Sequence, residues 1–121
     1  MGWKYFKKEE FACPCCNQNK TNISLINRLD ILRGRMKVPF KINSGYRCSV
    51  HNASPEVGGA SESIHLKGGA ADISTVGWNG NQKYLIISRA MALGFSGIGL
   101  GRSIIHLDIR SGPQVFWIYD S

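Results

Sequence analysis

Histidine and aspartate side chains recur in two short segments at spacings that suit a metal site. His65 and Asp72 lie seven residues apart with the Gly68-Gly69 pair between them, and His106 and Asp108 lie two residues apart farther along the chain. Imidazole and carboxylate are good zinc ligands, and three protein ligands with one open position form the usual catalytic arrangement. The pattern predicts a zinc site built from His65, Asp72 and His106, with the chemistry of metal-assisted hydrolysis.

Two helices are predicted from capping residues and hydrophobic spacing. In the first, Asn22 is the N-cap, and the apolar positions that follow at helical spacing are Leu25, Leu29, Leu32 and Met36. This helix should end near Lys37, before Pro39. The second should follow a turn over residues 77–81 and end at Gly94, with one face carrying Tyr84, Ile87 and Met91.

The predicted strands cover residues 40–43, 70–74, 97–100, 104–109 and 115–119, and one short helical turn is expected near residues 8–11. Two helices against a small, mostly antiparallel sheet give an α+β domain. On this assignment His106 and Asp108 point to the same face of one strand. The two glycines after His65 let the backbone turn so that His65 and Asp72 converge.

Length, composition and charge limit the class of protein. The chain has 121 residues, which suits one domain, and 43% hydrophobic residues, which is typical of a globular protein. The net charge of +7 favours an anionic partner, although solubility alone would also explain it. Nucleic acid is the weaker choice of partner, since there is no arginine-rich tract and no basic helix. No stretch is apolar enough to span a bilayer, and no secretory signal opens the chain, so we expect either synthesis in the cytosol or prior removal of a signal.

Several motifs occur in a characteristic order between residues 40 and 117. They are Ser44-Gly45-Tyr46-Arg47, Val57-Gly58-Gly59-Ala60-Ser61, Ser63-x-His65-x-x-Gly68-x-Ala70-x-Asp72, Gly97-Ile98-Gly99 and His106-x-Asp108. Together they resemble the zinc D-alanyl-D-alanine carboxypeptidases and related cell-wall endopeptidases, above all the small single-domain members found in bacteriophages as endolysins or virion-associated peptidases. The resemblance implies one hedgehog/D-Ala-D-Ala-peptidase-like α+β domain over residues 1–121, with an irregular cysteine-containing segment at residues 1–21.

The resemblance also implies roles for individual residues. The family's zinc ligands correspond to His65, Asp72 and His106. Arg47 matches the arginine that holds the substrate and polarises the scissile carbonyl, and Ser63 matches a polar position that orients substrate or a ligand. The implied activity is hydrolysis of peptidoglycan peptides, by an enzyme held in the host cytoplasm before its release to the cell wall, or carried on a virion. A non-catalytic, zinc-containing wall-binding or virion domain of the same fold is the alternative.

Asp108 stands where many family members carry the second histidine of a His-x-His pair, and two assignments follow. In the first, His106 binds zinc and Asp108 is the catalytic base or a supporting carboxylate. In the second, Asp108 binds zinc and His106 is the base. We favour the first, because imidazole is the commoner third ligand in such sites.

The cysteines suggest a second, structural feature. Cys13, Cys15 and Cys16 cluster near the start of the chain, whereas Cys48 lies three residues before His51. These residues could form a structural zinc site, a disulfide from the cluster to Cys48, or reduced thiols. Sequence alone leaves the three alternatives open.

Overall fold

The computed structural model of the chain describes residues 3–13, 19–36, 38–46 and 68–119. In chain order these contain a 3-10 helix (Lys8–Phe11), α1 (Ile23–Met36), β1 (Ile42–Ser44), β2 (Ala70–Ser74), α2 (Gly80–Ala92), β3 (Gly97–Leu100), β4 (Ile104–Asp108) and β5 (Val115–Ile118). The predicted α+β class is confirmed. No helix in these ranges is long and apolar enough to cross a membrane.

Helix α1 forms where the sequence pattern predicts it. The side chain of Asn22 accepts a hydrogen bond of 2.8 Å from the backbone N–H of Ser24, which satisfies one free donor at the start of the helix. The apolar side chains at helical spacing are buried: Leu25, Ile26, Leu29, Leu32 and Met36. The helix ends at Met36, three residues before Pro39, as expected.

Helix α2 begins with a reciprocal capping box. The Asn79 side chain accepts from the backbone N–H of Gln82 at 2.8 Å, and the Gln82 side chain accepts from the backbone N–H of Asn79 at 2.9 Å. The buried side of this helix carries Ile86 and Ala90. Two of the three residues of the predicted apolar face, Tyr84 and Met91, are exposed.

The five strands form one sheet in the order β1-β2-β4-β3-β5. Every neighbouring pair is antiparallel except β3 and β5, which run parallel. Strand β1 starts two residues later than predicted, because Phe40 is a core residue instead. The centre of the Phe40 ring lies 6.3 Å from that of Phe6 and 5.8 Å from that of Trp78.

The two faces of the sheet serve different purposes. One face packs on the helices through buried side chains of alternate residues: Ala71, Ile73, Ile98, Ile105 and Leu107. The intervening residues of β2 and β4 point to the other face and are polar at Asp72, His106 and Asp108. The strand alternation thus separates a hydrophobic core from a layer that carries ionisable groups.

Candidate active site

A row of four residues crosses the sheet on its polar face. His106 of β4 pairs with Asp72 of β2 on one side and with Gly99 of β3 on the other. Gly99 in turn pairs with Trp117 of β5. Since directly paired residues of neighbouring strands point to the same face, these side chains lie next to one another. The register of the sheet therefore places Asp72 beside His106.

The imidazole of His106 lies between two carboxylates. Its Nδ1 is 2.9 Å from Oδ1 of Asp72, and its Nε2 is 2.7 Å from Oδ2 of Asp108. The side chains of His106 and Asp72 are 6% and 11% exposed, and that of Asp108 is fully buried. Both ring nitrogens are thus engaged, and the two carboxylates occupy opposite ends of the ring.

Asp108 is also held by the arginine that follows it by two residues. The guanidinium of Arg110 donates from Nε to Oδ1 at 3.0 Å and from Nη2 to Oδ2 at 2.7 Å. The backbone N–H of Arg110 donates to Oδ1 at 3.1 Å. A bidentate arginine–carboxylate pair is among the strongest hydrogen-bonded arrangements in proteins and fixes the plane of the carboxylate.

Two glycines of β3 make room for this network. A Cβ atom at Gly97 would overlap the carboxylate of Asp108, and a Cβ atom at Gly99 would overlap the indole of Trp117. With that space open, the Trp117 ring lies over Gly99, and its centre is 5.1 Å from the centre of the His106 ring. The Gly97-Ile98-Gly99 motif is therefore a packing requirement of the polar face.

The neighbours of His106 and Asp108 shift the pKa values of both groups. Burial by itself would lower the pKa of His106, but the hydrogen bonds and charges of Asp108 and Asp72 outweigh it and raise the pKa of the ring. Burial by itself would raise the pKa of Asp108, but hydrogen bonds from His106 and Arg110 lower it well below its usual range. The pKa of the imidazole and the pKa of the Asp108 carboxylate thus shift in opposite directions, as expected for a histidine hydrogen-bonded between carboxylates.

The structure brings together three of the residues predicted for the site: Asp72, His106 and Asp108. The other three, Arg47, Ser63 and His65, lie outside the described residues. So do Cys15, Cys16, Cys48 and His51 of the predicted cysteine site, whereas Cys13 is buried beside Tyr46. Within the described ranges, no group of three or more His, Cys, Asp or Glu side chains is arranged to hold a metal ion. The predicted set of three ligands therefore depends on His65.

Arg110 and Trp117 are part of the site although the sequence pattern did not single them out. The guanidinium carbon of Arg110 lies 5.0 Å from the centre of the Trp117 ring. A signal for Arg110 was present: residues 106, 108 and 110 continue the same alternation, two positions beyond the predicted pair. Trp117 carries no such signal, because its position depends on the pairing of β5 with β3.

The chemistry of the described pair fits a zinc ion. Asp72 and His106 present one carboxylate oxygen and one imidazole nitrogen at the same point of a rigid sheet, and both are donors that zinc accepts. Metal-binding histidines almost always donate their second ring N–H to a carboxylate or carbonyl, and Asp108 stands at that position for His106. Two of the three predicted ligands thus lie side by side with donor atoms that zinc accepts, and the ligand set itself stays a prediction.

The chain also matches a known family over most of its length. A family model described as Peptidase M15 matches residues 4–108, which include β1 to β4 and the whole Asp72–His106–Asp108 network. No curated protein matches the chain significantly. The family is one of zinc-dependent peptidases related to D-alanyl-D-alanine carboxypeptidases. With a match over this much of its sequence, the chain belongs to the Peptidase M15 family.

Proposed function

We propose that this peptidase uses zinc to hydrolyse peptide bonds of peptidoglycan, as a phage-type D-alanyl-D-alanine carboxypeptidase or cell-wall endopeptidase. The observation that carries the proposal is the convergence of Asp72 and His106. Their facing atoms are 2.9 Å apart on the polar face of the sheet, and the second nitrogen of His106 is held by Asp108. This is how a chain of the family would prepare two ligands for one metal ion.

In the proposed mechanism, His65, Asp72 and His106 hold the zinc. When bound, zinc lowers the pKa of its water toward about 7 and so provides a nucleophile near neutral pH. Arg47 holds the substrate and stabilises charge that develops on the scissile carbonyl oxygen, and Ser63 orients the substrate. Trp117 lies beside His106, with 5.1 Å between the two ring centres and an angle of 50° between the ring planes.

The geometry supports the assignment in which His106, and not Asp108, is the ligand. The Nδ1 atom of His106 faces Asp72, so this nitrogen can share a metal with that carboxylate. Asp108 lies at the other end of the ring, fully buried and engaged by Arg110. For Asp108 to become a ligand, it would have to give up its contacts with both residues.

Zinc content tests the ligand assignment. We expect about one catalytic zinc per chain in the wild type, as in other sites of this kind, and loss of that zinc in Asp72→Asn and His106→Gln. The matched control is Asp30→Asn, which changes the same residue type on α1, where the carboxylate accepts from the backbone N–H of Tyr5 at 2.8 Å. This control should keep its zinc. Zinc retained in both site variants would contradict the proposal.

Product analysis on purified peptidoglycan tests the activity. Free D-alanine among the products identifies a carboxypeptidase, whereas new amino groups and the conversion of cross-linked muropeptides to monomers identify an endopeptidase. We expect cleavage by the wild type and by Asp30→Asn, and loss of cleavage with the loss of zinc in Asp72→Asn and His106→Gln. Cleavage that persists in the zinc-free variants would show that the activity does not depend on this site.

A non-catalytic wall-binding or virion domain is the second candidate function. The observation in its favour is that both oxygens of Asp108 already accept hydrogen bonds, so the residue expected to act as base is not free to take a proton. Zinc bound by Asp72 and His106, together with intact peptidoglycan of every chemotype after incubation, would favour this candidate.

A further inference from the structure

We propose that Arg110 is a positioning residue, which fixes Asp108 so that Asp108 in turn aims Nδ1 of His106 at the metal. The inference rests on the proposed function, because it assigns a role toward the same zinc. It also assigns Asp108 to the support of His106 and not to proton transfer. The argument depends on three features: the hydrogen bonds of Asp108, the placement of Arg110, and the direction of the two ring nitrogens.

The Asp108 carboxylate accepts as many hydrogen bonds as its two oxygens allow. A carboxylate offers about four lone-pair directions. Oδ1 accepts from the backbone N–H and Nε–H of Arg110, and Oδ2 accepts from Nη2–H of Arg110 and from Nε2–H of His106. Three of these four donors belong to Arg110. The position of the Asp108 carboxylate, fully buried in the sheet, is therefore set mainly by Arg110.

Two contacts hold Arg110 in place, one through its guanidinium and one through its backbone carbonyl. Its guanidinium lies 5.0 Å from the centre of the Trp117 ring, on the side opposite the core. Its carbonyl accepts a hydrogen bond from Ser96 Oγ at 2.5 Å, next to the start of β3. Isolated surface ion pairs contribute little to stability, and Arg110 is 32% exposed. Its partner, however, is completely buried, so loss of Arg110 leaves a carboxylate in the sheet with one donor from a side chain.

The orientation of the two ring nitrogens of His106 links the position of Asp108 to metal binding. The imidazole ring has one nitrogen toward Asp72 and the other toward Asp108, so a carboxylate fixed at Nε2 sets the rotation of the ring and keeps Nε2 protonated. Nδ1 then keeps its lone pair for a metal. If Asp108 were free to move, the ring could rotate away from Asp72, and the two ligands would no longer meet.

The test compares Arg110→Lys and Arg110→Gln with the wild type. Each protein is prepared free of metal, its folding is checked by thermal unfolding, and its zinc affinity is measured by competition with a chromogenic chelator. Loss of an outer partner of a metal ligand typically weakens metal binding roughly 10–100-fold, and we expect a loss in this range for both variants. Lysine keeps the charge but lacks the planar fork, so it should not rescue the affinity. Arg102→Lys, at an exposed position between β3 and β4, is the matched control and should bind zinc like the wild type.

A double-mutant cycle separates positioning from general stability. If Arg110 acts on zinc only through Asp108, then Asp108→Asn combined with Arg110→Gln should bind zinc no more weakly than Asp108→Asn alone. Independent destabilisation would instead give additive losses and would overturn the inference, as would wild-type affinity in Arg110→Lys. These outcomes differ from failure of the proposed function, in which the wild type itself would bind no zinc that depends on Asp72 and His106.

Discussion

At the scale of single residues, two glycines of β3 leave the space that the candidate site occupies. Gly97 pairs directly with Asp108, and Gly99 pairs directly with His106. Any other residue type would direct a side chain onto the polar face at these points. The space that the two glycines leave is occupied by the Asp108 carboxylate and by the Trp117 ring. The support of His106 therefore depends on both glycines.

We predict that Gly97→Ala destabilises the protein and weakens zinc binding together. The new methyl group would overlap the Asp108 carboxylate, which is fully buried and cannot move without losing Arg110 or His106. Overpacking of this kind costs about 1–3 kcal/mol. Chemical denaturation and zinc titration of the purified variant measure both effects.

Gly80→Ala is the matched control for this change. A Cβ atom at Gly80, the first residue of α2, meets no other atom within 4 Å. Alanine is also favoured over glycine in helices by up to about 1 kcal/mol. This control should be as stable as the wild type or slightly more stable, with unchanged zinc affinity. Equal behaviour of the two glycine variants would refute the packing argument.

Strand alternation allowed part of the candidate site to be predicted at this scale. His106 and Asp108 were expected on one face because they are two residues apart, and they are found there. The fork from Arg110 was not predicted, although the same alternation continues to it. The reason is that Arg110 lies beyond the last residue of β4, where sequence alone does not show whether the extended direction persists.

At the scale of elements, the start of α2 depends on a local exchange of hydrogen bonds between Asn79 and Gln82. We predict that Asn79→Ala lowers the free energy of unfolding by about 0.5–2 kcal/mol, because the N-cap acceptor is lost. Thermal unfolding should show a fall of a few degrees. Asn81→Ala, an exposed position two residues into the same helix, should leave the unfolding temperature nearly unchanged. An Asn79→Ala protein as stable as the wild type would mean that the capping box contributes nothing.

The pairing of elements was harder to predict than their existence. The strands at residues 70–74 and 97–100 have the bounds that the sequence predicts. The parallel pairing of β5 with β3 was not predicted. It depends on the segment between β4 and β5, which is held beside the start of β3 by hydrogen bonds such as Gln114 Nε2–H to the Phe95 carbonyl at 3.1 Å. Such long-range contacts leave no local pattern in the sequence.

At the scale of the whole molecule, we expect the net charge of +7 to strengthen binding to the anionic cell wall that the proposed function implies. We predict that binding to sedimented wall fragments weakens steeply between about 0.1 M and 1 M salt, over which the screening length falls from about 10 Å to about 3 Å. Wall from which anionic polymers have been stripped should retain less protein at low salt. Binding that does not change with salt would show that charge has no role.

The row of residues across the sheet also limits how this sequence can change over generations. Each side chain of the row points to the polar face because successive residues of a strand alternate between the two faces of the sheet. One codon gained or lost within Ile104–Asp108 would turn His106 toward the hydrophobic core and Leu107 toward the polar face. The turns at both ends can absorb a change of length, but the strand itself cannot. Lineages that keep the chemistry should therefore vary in length only outside the five strands.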